Sequence, residues 1–363
     1  MRVVIVGAGI LGASLAYALS RRGAQVTVVD AATVAAGATG QSFGWINASF
    51  FADAAHFALR AEGIEAHRRL CRDLDLPVTW SGCLCWEEQG AALEARASAL
   101  SRMGYGVEIL SKPEIAKREP HLCAPEAALY FEAEGAAEPA ALAATLLAAS
   151  GARVMSGCPA TEIVTEKGAV RGLRIPGGVL LADRVIVAGG TGSTALLAPL
   201  GVALPMLHRP GVIFRTQVVP PVLAHVCVAP VGEFRQTPQG QIVMPTAVSH
   251  QSDESETIAE RPDVLAAQAC ARLQDLLPDV PLHWQDVALA ARPVPRDGLP
   301  VIGACGPAGL FATVMHSGIT LAGVVAEVVS AEVMDQPLSN AQTAMVAPYR
   351  PARFQDAAPT ADL

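Results

Sequence analysis

The turn Gly7-Ala8-Gly9-Ile10-Leu11-Gly12 has the form G-x-G-x-x-G, and its residue types are those that bring a backbone up against phosphate. Alone the pattern is weak. Here a short apolar run, residues 2–6, leads into it, and a stretch of helical composition, residues 10–22, leads out. Asp30 closes the next apolar run, residues 25–29. The three glycines do different things. Gly7 permits the tight turn, Gly9 lets the chain approach a pyrophosphate, and Gly12 lets helix and strand pack closely. The start of the helix offers unpaired N–H groups and a partial positive charge, which Ile10 begins. The Asp30 carboxylate can accept hydrogen bonds from both ribose hydroxyls and repels a 2′-phosphate. The competing reading is a glycine-rich turn that binds nothing. The setting favours a dinucleotide, and these residues do not distinguish NAD from FAD.

The elements needed to hold such a site fit the composition. With 363 residues the chain exceeds one ordinary core, so two domains are expected. Hydrophobic residues at 52% and charged residues at 17% exclude intrinsic disorder. The longest apolar stretch, 319–333, carries Glu327 and Glu332 and reads as a buried helix rather than a membrane span. A net charge of -8 without a Lys/Arg cluster argues against a nucleic-acid partner. No signal or transit pattern precedes the first strand, which makes cytoplasmic the default expectation. The closest of the 8 cysteines, Cys83 and Cys85, lack C-x-x-C spacing, so no metal site is expected and reduced core thiols are. H-E-x-x-H does not occur.

Residues 52–72 read as a helix with its charges on one face, and 91–103 and 138–149 as further helices. Two short strands are expected around Lys167-Gly168, and 183–190 is a buried strand ending in Gly189-Gly190. Residues 206–250 alternate like an antiparallel sheet, with a hairpin at 234–244 turning at Pro238 and Gly240. A helix at 264–277, strands within 285–303 and a helix at 318–333 follow. The tail after Pro348 is expected to fray.

A second group of segments carries a resemblance. Gly37-Ala38-Thr39-Gly40-Gln41-Ser42-Phe43-Gly44-Trp45, Ala291-Arg292-Pro293 with Asp297-Gly298-Leu299-Pro300-Val301-Ile302-Gly303, and His316-Ser317-Gly318-Ile319-Thr320 are similar to the D-amino-acid oxidase superfamily. Its members include glycine oxidase, sarcosine oxidase, D-amino acid dehydrogenases and the FAD subunits of opine and D-hydroxyproline dehydrogenases. The resemblance implies an α/β fold: a Rossmann-type FAD-binding domain (1–80, 139–205 and 286–363) interleaved with an α+β substrate domain on an antiparallel sheet (81–138 and 206–285). It implies FAD, held noncovalently because no cysteine stands beside Arg292. Gly37, Thr39, Gly40, Gln41 and Ser42 would run beneath the flavin, and Ala160 would contact adenine through its main chain. Gly189 and Gly190 would lie beside the nucleotide. Backbone N–H groups of Gly318, Ile319 and Thr320 would face the flavin's pyrimidine edge.

By the same resemblance Arg292 pairs with a substrate carboxylate, for which a planar guanidinium is suited. The structural alternative for Arg292 is an ion pair with Asp286 or Asp297. His316 would lie near the flavin, as a packing residue or a hydrogen-bonding one. The second arginine that glycine oxidase carries before its last helix is absent, which departs from that enzyme's pattern. Phe234, Arg235 and Met244 are candidates either for the pocket wall or for sheet packing. The expected activity is oxidation of the Cα–N bond of a small amino acid or secondary amine, with oxygen or an electron-accepting partner and a homo- or hetero-oligomer as further expectations. The alternatives are the FAD subunit of an opine or D-hydroxyproline dehydrogenase, a catalytically silent flavin-binding subunit, and an NAD-dependent dehydrogenase.

Overall fold

The computed structural model describes residues 1–248 and 253–355. The end of the segment read as antiparallel sheet (249–250) and the tail beyond 355 lie outside the described residues. Strand β1 (Arg2–Val6) is buried from Val3 onward, as a run of branched apolar residues between two neighbours must be. It pairs in parallel with β2 (Gln25–Val29) on one side and with Arg184–Val187 on the other. The full sheet runs Val301–Ala304, Leu310–Val314, Arg184–Val187, β1, β2, Arg153–Met155. Only the outermost strand, Val301–Ala304, is antiparallel to its neighbour. Helix α1 (Ile10–Arg21) packs against the helices Pro139–Ser150 and Gly318–Val333. A three-stranded meander over 162–181 covers the opposite face, where Ile163, Val170 and Leu173 share a core with Val4 and Val6.

The second large sheet has eight strands, in the order Trp284–Ala291, Pro210–Thr216, Ile242–Pro245, Gly232–Gln236, Val226–Ala229, Cys83–Cys85, Ala127–Phe131, Glu108–Ser111. The expected hairpin is its centre, with Thr237 N–H donating to the Gln241 carbonyl across the turn. The sheet is mixed rather than purely antiparallel, because Val226–Ala229 runs parallel to Cys83–Cys85. The sequence offered no strand between residues 83 and 131; these strands are three to five residues long and buried at every position of the first, so no alternation shows. The helix Pro262–Leu276 closes this sheet over a core of Phe214, Phe234 and Met244. A small sheet of Trp45–Ile46, Gly135–Ala137 and Val78–Thr79 joins the two layers.

Helix α2 (Ala54–Asp73) begins where the Asp53 carboxylate accepts the His56 N–H at 2.8 Å, capping the first turn. The expectation of a frayed tail is corrected for residues up to 355. Tyr349 and Phe354 are buried, and Arg350 forms an ion pair with Glu332 at 2.5 Å. No helix among the described residues is long and apolar enough to cross a membrane.

Candidate active site

The glycine turn opens a cleft of about 1120 Å3 at the carboxyl ends of β1 and its neighbours, where doubly wound sheets bind ligands. Gly7 holds φ at +109°, and a Cβ there would lie 2.4 Å from the Ala188 carbonyl oxygen. A Cβ on Gly12 would lie 1.9 Å from the Gly7 carbonyl oxygen, so α1 touches the turn backbone to backbone. Asp30 accepts the Ala8 N–H (2.7 Å) and the Ala32 N–H (2.8 Å), one on each oxygen, and stands at the cleft wall with lone pairs to spare. Thr39 Oγ1 accepts the Ile10 N–H at 3.0 Å, which ties the 37–42 loop to the start of α1.

Gly7, Gly9, Ile10, Asp30, Gly37, Thr39, Ser42, Gly189, Gly190, His316, Gly318 and Ile319 all line this cleft. Of the other candidates, Gly12 is packed behind the turn, and Gly40 is pressed against the Ala35 carbonyl, its N–H donating there at 2.9 Å. Ala160 lies in the loop after Arg153–Met155, half-buried against the core, and does not line the cleft.

A second cavity, about 780 Å3, adjoins the cleft. Ala38, Ser42, Pro293, His316 and Ile319 line both, so the two spaces meet at the start of the helix Gly318–Val333. Its far walls come from the strands Pro210–Thr216 and Trp284–Ala291 of the eight-stranded sheet. Gln41, Thr320 and Arg292 line this second space. Phe234 and Met244 do not; they belong to the sheet's own core. Arg235 is likewise structural, donating to Phe43 O at 2.6 Å and to Glu138 at 2.7 Å.

Arg292 is buried, and its Nη2 donates to Asp253 Oδ2 at 2.7 Å and to the backbone carbonyls of Asp253 and Pro210. Its ion-pair partner is therefore Asp253. Asp286 pairs with Arg215 and Asp297 with Arg353, which corrects the two partners expected from sequence. Burial lowers the Arg292 pKa, and Asp253 offsets part of that.

The cavity holds a second guanidinium that sequence reading missed. Arg60, on α2, donates from Nε to Asn47 O (3.1 Å), from Nη2 to Asn47 Oδ1 (2.6 Å) and from Nη1 to Ser317 Oγ. Asn47 is fixed in turn: its N–H donates to Thr320 Oγ1, whose hydroxyl donates to Trp45 O. The buried Glu134 carboxylate gathers this loop, accepting from Trp45 Nε1, the Ala48 and Ser49 amides and the Tyr105 hydroxyl at 2.8–3.2 Å. Burial pushes the Glu134 pKa up, while hydrogen bonds from Ser49 and Tyr105 pull against it. The available signal was spacing: Arg60 falls on the stripe of His56, Gly63 and His67, all turned inward with Phe57 and Ile64.

The chain matches the model of the FAD dependent oxidoreductase family over residues 2–332, and it belongs to that family. It is 29% identical over 213 residues to glycine oxidase from Pseudomonas putida, covering 58% of this chain and 56% of that protein. The match therefore spans little more than half of that relative's length. Glycine oxidase from Geobacillus kaustophilus is 24% identical over 317 residues, 83% of each chain. The fold is shared with a solved structure of L-amino acid deaminase from Proteus vulgaris, at TM-score 0.83 and 20% identity, over 97% of this chain and 93% of that one. The cofactor is FAD, and the geometry fits it: a glycine cradle that a Cβ would fill, a carboxylate on the cleft wall next to the turn, and a cleft that runs from the turn to the start of the helix Gly318–Val333.

Proposed function

We propose that the chain oxidises the Cα–N bond of a small amino acid or secondary amine. The observation that carries this reading is the junction of the two cavities: the nucleotide cleft opens, at His316 and Ile319, into a space walled by guanidinium groups. Gly7, Gly9, Asp30, Gly37, Thr39, Gly189 and Gly190 would hold the nucleotide part of FAD. Gly318, Ile319 and Thr320 would present backbone N–H groups to its ring. FAD, when bound, supplies a two-electron acceptor. The chain itself binds and orients the substrate and keeps water out.

The substrate enters with a neutral amine, whose lone pair forms C=N as the Cα–H bond breaks and its electron pair leaves with the hydrogen. Water then hydrolyses the imine to a carbonyl compound and ammonia or an amine. No side-chain base is required, and His316 serves as a wall common to both spaces. The amino end of the helix Gly318–Val333 brings partial positive charge to the place where negative charge accumulates. Arg292 and Asp253, paired, form the wall beside Pro293.

The test is anaerobic mixing of FAD-loaded protein with D-amino acids, N-methyl amino acids, D-hydroxyproline and opines. Bleaching of the flavin absorbance by at least one of them is the expected result; a flavin that stays oxidised with all four classes overturns the reading. Readmitting air distinguishes an oxidase, which recolours at once, from a dehydrogenase that hands electrons to a partner.

A further inference from the structure

Arg60 and Arg292 line one cavity, and of the two it is Arg292 that meets a carboxylate directly. Arg292 meets the Asp253 carboxylate at 2.7 Å. Arg60 is 3% exposed, and its three acceptors, Asn47 O, Asn47 Oδ1 and Ser317 Oγ, are all uncharged. Among the described residues no carboxylate reaches it at ion-pair distance; Glu134 and Glu233 act on it only through space. Burial brings its pKa down to about 10, so the group keeps its charge at neutral pH. A buried cation is costly unless it is paired and hydrogen-bonded, and no carboxylate is in hydrogen-bonding contact with this one.

The surroundings of Arg60 also fix its plane. Asn47 accepts from Nε and Nη2 and Ser317 from Nη1, which holds the guanidinium plane and leaves one further N–H on each terminal nitrogen for an anion. Ser317 stands next to His316 and Gly318, so an anion on Arg60 lies beside the passage between the cavities. We propose that Arg60, oriented by Asn47 and Ser317, receives the carboxylate of an anionic amino-acid substrate. The anion anchor of this cavity is then on α2 rather than on the strand that ends beside Arg292. The assignment of the anion as substrate rests on the amine-oxidation reading above; the anion site itself does not.

The experiment titrates acetate, and acetamide as its uncharged counterpart, into FAD-loaded wild-type protein, R60Q, R60K and R292Q, following the flavin visible spectrum. Substrates found to bleach the flavin are run in parallel for KM and kcat. The expected result is that acetate perturbs the wild-type spectrum and acetamide does not. In R60Q the acetate Kd and the substrate KM should rise roughly tenfold or more, the loss of a charged hydrogen-bonded contact. R60K, which keeps the charge without the planar guanidinium, should fall between and guards against a misfolded R60Q. Wild-type acetate affinity in FAD-loaded R60Q overturns the proposal, as does loss of acetate binding in R292Q with R60Q unaffected. Should acetate binding follow Arg60 while no amine bleaches the flavin, the anion site stands and the amine-oxidation reading alone fails.

Discussion

Gly12 is where the smallest change should have the largest effect on the cofactor. Its α-carbon faces the Gly7 carbonyl so closely that a methyl group would sit 1.9 Å from the oxygen. Gly12→Ala can be accommodated only by lifting α1 off the turn, at about 1–3 kcal/mol of overpacking. The variant should lose most of its FAD on gel filtration and require far higher FAD for reconstitution, measured by fluorescence quenching; retention at wild-type affinity would show that close approach does not build the cradle. This residue was readable from sequence because motif, preceding strand and following helix agreed. Arg292 was readable in place but not in company, since Asp253 is brought to it by a loop that no local pattern ties to that strand. Arg60 was hidden by its type: an arginine in a helix rich in charge reads as solvent-facing, and only its three- and four-residue spacing from Phe57, Gly63 and Ile64 gives it away.

Helix α2 carries the polar stripe that backs the substrate cavity. Its Gly63 lies so near the Thr320 carbonyl that a Cβ would come within 2.6 Å, and His67 meets Ile319 O at 2.6 Å. His56 sits near the start of the stripe. Burial, with Arg60 adding to it, lowers the His56 pKa to about 4 from an ordinary 6.5. The unfolded chain therefore takes up a proton between pH 6.5 and 4 that the folded chain refuses, and stability falls as pH drops through that window, by at most about 3 kcal/mol. Burial lowers the His67 pKa as well, in the same sense. His56→Gln keeps an acceptor for the Ala52 N–H and removes the titration, so its melting temperature should depend less on pH than the wild type's between about pH 7 and pH 4.5. Equal slopes for both proteins would sink the idea. Long or turn-marked elements were legible: the helix Gly318–Val333 and the hairpin around Pro238 lie where spacing put them. Short buried strands such as Cys83–Cys85 were not, because three residues buried on both faces display no period.

The two large sheets share the substrate cavity, so cofactor binding should steady both. FAD that binds the native state alone adds RT ln(1 + [L]/Kd), about 2.7 kcal/mol at a hundredfold excess over Kd. FAD-loaded protein should melt a few degrees above the stripped protein in a single transition, with circular dichroism and tryptophan fluorescence coincident; a melt that splits in two would mean that the sheets unfold independently. That the parallel sheet draws its strands from distant parts of the sequence was legible in outline, since nucleotide-type patterns recur at residues 7, 189 and 318. The small sheet of Trp45–Ile46, Gly135–Ala137 and Val78–Thr79 has no signature in any one segment.

The order of strands in the parallel sheet also sets a timetable for biosynthesis. β1 leaves the ribosome well before its partner Arg184–Val187, and the next strand, Leu310–Val314, comes later still, just ahead of the helix Gly318–Val333. Between those points the nascent polypeptide carries branched apolar strands with unpaired edges, a state exposed to aggregation. A nucleotide cleft assembled from strands so far apart in sequence keeps those edges open until Leu310–Val314 has been made.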